Sequence, residues 1–151
     1  MLVQTDLGCT ALTKVWLEKK LGSPAKVNRK TIWGKFILNE IEKPLNSYPP
    51  TKYPHVLKLQ ITENFYARRG VILTPDAERN INILIRDHIH DLFFESIEFL
   101  NEMQSGKKVK ITRAIHTFME RLQLTENEIM CETIKKSYYR KRLEINEAVN
   151  Q

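Results

Sequence analysis

The segment from Thr74 to about Gln104 reads as one uninterrupted helix of about 30 residues, and the rest of the chain has to be arranged around it. Thr74-Pro75-Asp76-Ala77-Glu78 opens it. Threonine is a good N-cap, proline suits the first helical position, and the two acids suit the positive end of the helix dipole. No glycine or proline interrupts the segment between Asp76 and Gln104. At ~1.5 Å per residue the rod is roughly 45 Å long. Ile81, Ile85, Ile89, Leu92, Phe93, Leu100 and Met103 form a broad apolar stripe, and Asp87, Asp91, Glu95, Glu98 and Glu102 lie along the other side. Ile83, Leu84 and Phe94 fall outside the stripe. That is too much apolar surface for a helix lying singly on a small core, so the rod is either central to the fold or packs on a second copy.

Shorter elements flank it. Ala11, Leu12, Val15 and Trp16 recur at helical spacing until Leu21-Gly22-Ser23-Pro24 stops them. Ile32, Trp33, Phe36, Ile37 and Ile41 form a second helical pattern that ends at Pro44, and Lys26 to Lys30 is a basic link between the two. Pro44, Pro49, Pro50 and Pro54 make residues 44–55 an extended connector. Leu57, Leu59 and Ile61 then alternate with Lys58, Gln60 and Thr62, the period-two pattern of a half-buried strand. Its partner is expected near Arg69–Leu73, and Thr62 is expected to cap a short helix through Phe65 and Tyr66 that stops at Gly70. Beyond Ser105-Gly106-Lys107-Lys108, two helices are expected at about 112–122 and 126–145, the second opened by the capping box Thr125-Glu126-Asn127-Glu128. The apolar set of that last helix is Ile129, Met130, Thr133, Ile134 and Tyr138.

The expected fold is therefore mainly α, with five or six helices around one long central helix and a minor β-strand element. The divisions are a basic helical segment (1–43), a proline-rich connector (44–55) and an α-rich domain (56–151). A chain of 151 residues with 42% hydrophobic and 28% charged residues has material for a core, which excludes wholesale disorder. Apolar runs no longer than Val71-Ile72-Leu73 fall far short of the ~20 residues that span a bilayer, and no signal peptide is read at Met1–Asp6. Cys9 and Cys131 are far apart and imply no disulfide framework. The expected location is the cytoplasm, or the nucleus of a eukaryotic host.

No catalytic or cofactor motif stands out. His88 and His90 diverge by about 200° on a helix and cannot share a metal, while His88 or Asp87 with Asp91 supplies two ligands at most. Cys131 reads as core packing; its pairing with His116 as a nucleophile would need a spatial contact that sequence does not reveal. The lone glycines Gly70 and Gly106 form no phosphate-binding loop. No metal, cofactor or enzymatic activity is expected.

Charge is the remaining signal. The formal net charge is +6, distributed as +6 over residues 1–60, −4 over 61–104 and +4 over 105–151. The densest cluster, Lys135 to Arg142, holds Lys135, Lys136, Arg140, Lys141 and Arg142 with Tyr138 and Tyr139 between them. Such a cluster neutralises phosphates and releases counterions. Arg113 to Arg142 has the outline of a helix-turn-helix, although Gln123 or Leu124 stands where glycine is usual, only Ala114 serves as the small crossing residue, and Glu126, Glu128 and Glu132 occupy the start of the second helix. The strand, short helix and long helix after residue 56 also match the order of a ribbon-helix-helix module. The expectation is a non-enzymatic DNA-binding protein, forming a homo-oligomer such as a dimer. Its phosphate contacts come from Lys135, Lys136, Arg140, Lys141 and Arg142 with Tyr139, aided by Lys26, Arg29 and Lys30; Lys58, Gln60 and Thr62 are the base readers. The alternative is a structural or adaptor protein that binds itself or another protein through complementary charged faces.

Overall fold

The computed structural model describes residues 2–42, 50–62, 73–104 and 109–150. These form, in chain order, β1 (Leu2–Cys9), α1 (Ala11–Leu21), β2 (Ala25–Val27), α2 (Ile32–Glu42), β3 (His55–Thr62), α3 (Pro75–Met103), α4 (Ile111–Arg121) and α5 (Cys131–Val149). The fold is mainly α with a minor β element, and α3 is its long helix. Two compact units, Met1–Ile85 and Arg86–Gln151, divide within α3.

In the first unit, β3 is the middle strand of a three-stranded sheet ordered β1-β3-β2. It runs antiparallel to β1 and parallel to β2. The alternation read from the sequence holds: Leu57, Leu59 and Ile61 are buried and Lys58 is exposed. Leu59 faces Thr5 on one side and Ala25 on the other, and the partner expected near Arg69–Leu73 lies, but for Leu73, outside the described residues. β1 covers one edge of β3 along its length and β2 covers Leu59–Ile61 on the other, so β3 sits inside a sheet of its own chain rather than standing as the lone strand that a ribbon-helix-helix module pairs between copies. The basic link expected between the first two helices begins as β2. The expected short helix at 63–70 lies outside the described residues, as do residues 44–49 of the 44–55 connector.

Helices α1 and α2 cover the buried face of the sheet. Thr10 caps α1 by accepting from the Thr13 amide, and Thr31 accepts from the Gly34 amide at the start of α2. Trp16 meets Trp33 edge-on, with centroids 6.1 Å apart. Ile32, expected inward, is exposed because it occupies the first helical position. Asn82 of α3 donates to the Gly8 carbonyl and accepts from the Thr10 amide, so one buried side chain ties the helix to the end of β1. Thr74 caps α3 as expected, accepting from the Ala77 amide.

Besides Asn82, the buried positions of α3 are Ala77, Ile81, Ile85, Ile89, Phe93 and Ile97. Each step of four residues advances about 40° around the helix axis, so the buried line winds around the rod. Met103, expected in the stripe, is exposed.

In the second unit, α4 and α5 pack on each other, with Ala114, Ile115, Met119, Ile134 and Tyr138 buried. Phe93 meets Phe118 edge-on. Helix α5 begins at Cys131, later than expected. The Thr125–Glu128 pair closes a separate turn instead: the Thr125 amide and hydroxyl both donate to Glu128 Oε2, and the Ile129 amide returns to the Thr125 carbonyl. This shift leaves Met130 and Thr133, expected inward, exposed.

Candidate nucleic-acid interface

Two polar surfaces carry the expected contact residues, one in each unit. On the open face of the sheet, Lys26 of β2 is paired with Gln60 of β3, which is paired in turn with Gln4 of β1. Lys58 lies two residues along β3, opposite Asp6. The fold therefore brings Lys26, Lys58 and Gln60 together, and adds a carboxylate beside Lys58. Thr62 ends the strand, and its side chain lies outside the described set. Arg29 and Lys30 are exposed in the turn after β2, where the Lys30 amide donates to Asn28 Oδ1.

The second surface is a groove of about 760 Å³ lined by Val109, Lys110, Ile111, Thr112, Arg113, His116, Lys135 and Tyr139. Helix α4 supplies one wall through its N-terminal half. Its N-cap is Lys110, which makes no side-chain capping bond, and its first turn holds no acidic residue. The amides there stand at the positive end of the helix dipole. Helix α5 supplies Lys135 and Tyr139, one turn apart; Tyr139 is 49% exposed. Three permanent cations, an imidazole and a phenol thus line one concavity with no carboxylate among them. This is the chemistry of an anion site.

The basic cluster of α5 is split by its helical position. Lys135, Lys136, Tyr139 and Arg140 share a sector of about 140°, together with Glu132. Lys136 and Arg140 are exposed. Lys141 points the other way, Arg142 lies at the edge of that sector about 20° past Lys135, and both are engaged within the chain. Lys141 pairs with Asp91, and its ammonium sits 5.6 Å from the Phe94 ring centroid. Arg142 donates to Glu98 Oε2 at 3.1 Å. The other oxygen of Glu98 accepts from the Tyr138 hydroxyl at 2.6 Å. Burial and that carboxylate push the Tyr138 hydroxyl up to about 12.

Sequence reasoning missed Lys110, Arg113 and His116 as members of the site. The available signal was the absence of acid from the first turn of α4, beside a strongly amphipathic pattern. The helix-turn-helix outline holds only in part. The connection between α4 and α5 spans residues 122–130, and Gln123 takes the left-handed conformation usually given to glycine, with φ 55°. Glu126 and Glu128 are used inside that connection rather than on α5.

Two titratable groups outside the basic cluster, His90 and Cys131, are shifted. Half-buried His90 is held below the usual imidazole range by burial and then by Arg86. The Cys131 thiol is pushed up by burial and by Glu126 and Glu132, the opposite of what an activated nucleophile requires. No helix among the described residues is long and apolar enough to cross a membrane. In comparisons with known proteins, no family model, no curated protein and no solved structure matches the chain.

Proposed function

We propose that this is a non-enzymatic DNA-binding protein whose principal phosphate site is the groove between α4 and α5. The observation that carries the reading is the grouping of Lys110, Arg113, His116, Lys135 and Tyr139 around one open concavity at a helix N-terminus. Cations and unpaired amides hold phosphate oxygens, and the phenol adds a hydrogen bond or a stacking surface. Lys136 and Arg140 extend the basic surface along α5. The contacts expected from Lys141 and Arg142 are left out of the site, because Asp91 and Glu98 already take them. Lys26, Lys58 and Gln60, with Arg29 and Lys30, form a second and separate surface suited to a nucleic acid. A protein with this role works in the cytoplasm or the nucleus.

The test is duplex binding measured across a range of salt concentrations. Replacing Lys110, Arg113 and Lys135 together with glutamine should reduce the slope of log K against log salt by about three. Replacing Lys141 with glutamine should leave that slope unchanged. An unchanged slope in the triple variant contradicts the site.

One observation favours the adaptor alternative. Phe99, Met103, Leu143 and Val149 are large, apolar and exposed on α3 and α5. Exposed apolar side chains of this size suit self-association or a protein partner. On this reading the chain is a defined oligomer with little affinity for duplex.

A further inference from the structure

The connection between α4 and α5 gathers three side chains of different ligand chemistry. His116 stands on α4, Glu126 in the connecting segment and Cys131 at the first position of α5. One imidazole nitrogen, one carboxylate oxygen and the thiol sulfur lie within 4.8 Å of one another. We propose that His116, Glu126 and Cys131 form a binding site for a divalent metal of the zinc class, with the fourth position open to water or an external ligand.

The donor set favours that class. A thiolate with an imidazole suits zinc, and a carboxylate completes a three-ligand site of the kind that keeps one position open. Hard cations such as calcium and magnesium prefer all-oxygen cages. Tetrahedral zinc holds such atoms about 3.4–3.6 Å apart, given bonds of roughly 2.0–2.3 Å. Closing from 4.8 Å takes movement of about an ångström, and His116 is an exposed side chain able to rotate. Cys131 is buried and fixed by its helix. Glu126 is already oriented, because its Oε2 accepts from the Cys131 amide at 3.1 Å, leaving Oε1 for a metal. That backbone bond does the work of an outer-sphere partner, holding the ligand in place before the ion arrives. Glu132 adds negative charge near the thiol, and Lys135 is the opposing cation. On binding, the sulfur–metal bond forms as the thiol proton leaves to solvent. The bound ion would clamp the middle of α4 to the start of α5.

Titration of the full chain with Co²⁺ tests the site, because a thiolate ligand gives a near-ultraviolet charge-transfer band and tetrahedral geometry gives strong visible bands. Wild-type protein should show both, and Zn²⁺ should displace them. Cys131→Ser should lose the charge-transfer band. His116→Gln and Glu126→Gln should each weaken Co²⁺ binding by about 10- to 100-fold or more. Glutamine at 126 still accepts the Cys131 amide, so this variant keeps the cap while removing the charge. Cys9→Ala should retain the spectrum, and circular dichroism verifies that each variant is folded. Should Cys131→Ser fail to fold, the Glu126→Gln result decides. A folded wild type without a charge-transfer band in excess Co²⁺ overturns the site, as does a band that survives Cys131→Ser or an affinity unmoved by Glu126→Gln.

Discussion

Gly22 is the first residue past the end of α1 and Gln123 the second past the end of α4, and both take a positive φ. Gly22 ends α1 with φ 88° and ψ −178°, and its amide returns to the Glu18 carbonyl at 2.9 Å. That region is essentially closed to residues with a Cβ. Gly22→Ala should therefore cost about 1–3 kcal/mol, read as a lower urea midpoint at unchanged slope. A change below about 0.3 kcal/mol would contradict the assignment. Gln123 has φ 55°, where a side chain is tolerated at a cost of about 1–2 kcal/mol. The first stop was legible because Leu21-Gly22-Ser23-Pro24 spells out a helix end. The second stop was also placed, with the helix expected to end near 122, but the left-handed residue was not, because glutamine carries no turn signal. The same contrast holds for caps: Thr74 before Pro75 was readable, whereas Thr125-x-x-Glu128 matched a capping box and closed an isolated turn instead.

Between elements, the contact that matters most in the second unit is the docking of α5 on α3 through one carboxylate. Glu98 accepts from the Tyr138 hydroxyl with one oxygen and from Arg142 with the other. Tyr138 is buried, so its hydroxyl needs an acceptor. Glu98→Ala should destabilise this unit by about 1–3 kcal/mol and bring the Tyr138 hydroxyl back down towards its ordinary value. Denaturant unfolding and an ultraviolet titration of tyrosine measure the two effects. Loss of neither would mean that α5 is held by apolar packing and the Lys141–Asp91 pair. The acidic side of α3 and the basic run of α5 were both visible in the sequence, but their pairing was not. It is set by tertiary packing: Lys135 and Tyr139 line the groove, while Lys141 and Arg142, the latter only about 20° around α5 from Lys135, reach carboxylates of α3. Strand partners were illegible for related reasons. β1 carries Asp6 and Gly8, which are poor strand formers, and β2 is too short to display a period.

At the scale of the whole molecule, a modest net charge of +6 becomes informative only through its distribution. Folding consumes part of it, since carboxylates of α3 neutralise two cations of the densest cluster. It concentrates another part, since Lys110 and Arg113, remote in sequence from Lys135, reach the same groove. Mainly-α architecture and the long helix come from periodicity and capping, which are local. Membership of the groove is a tertiary property that no single segment encodes. The most direct test is amide and side-chain NMR of the labelled full chain titrated with a duplex. The account predicts shift changes concentrated at residues 109–116 and 135–140, saturating together. Changes that bypass this groove, or none at concentrations where the duplex is bound, would contradict it.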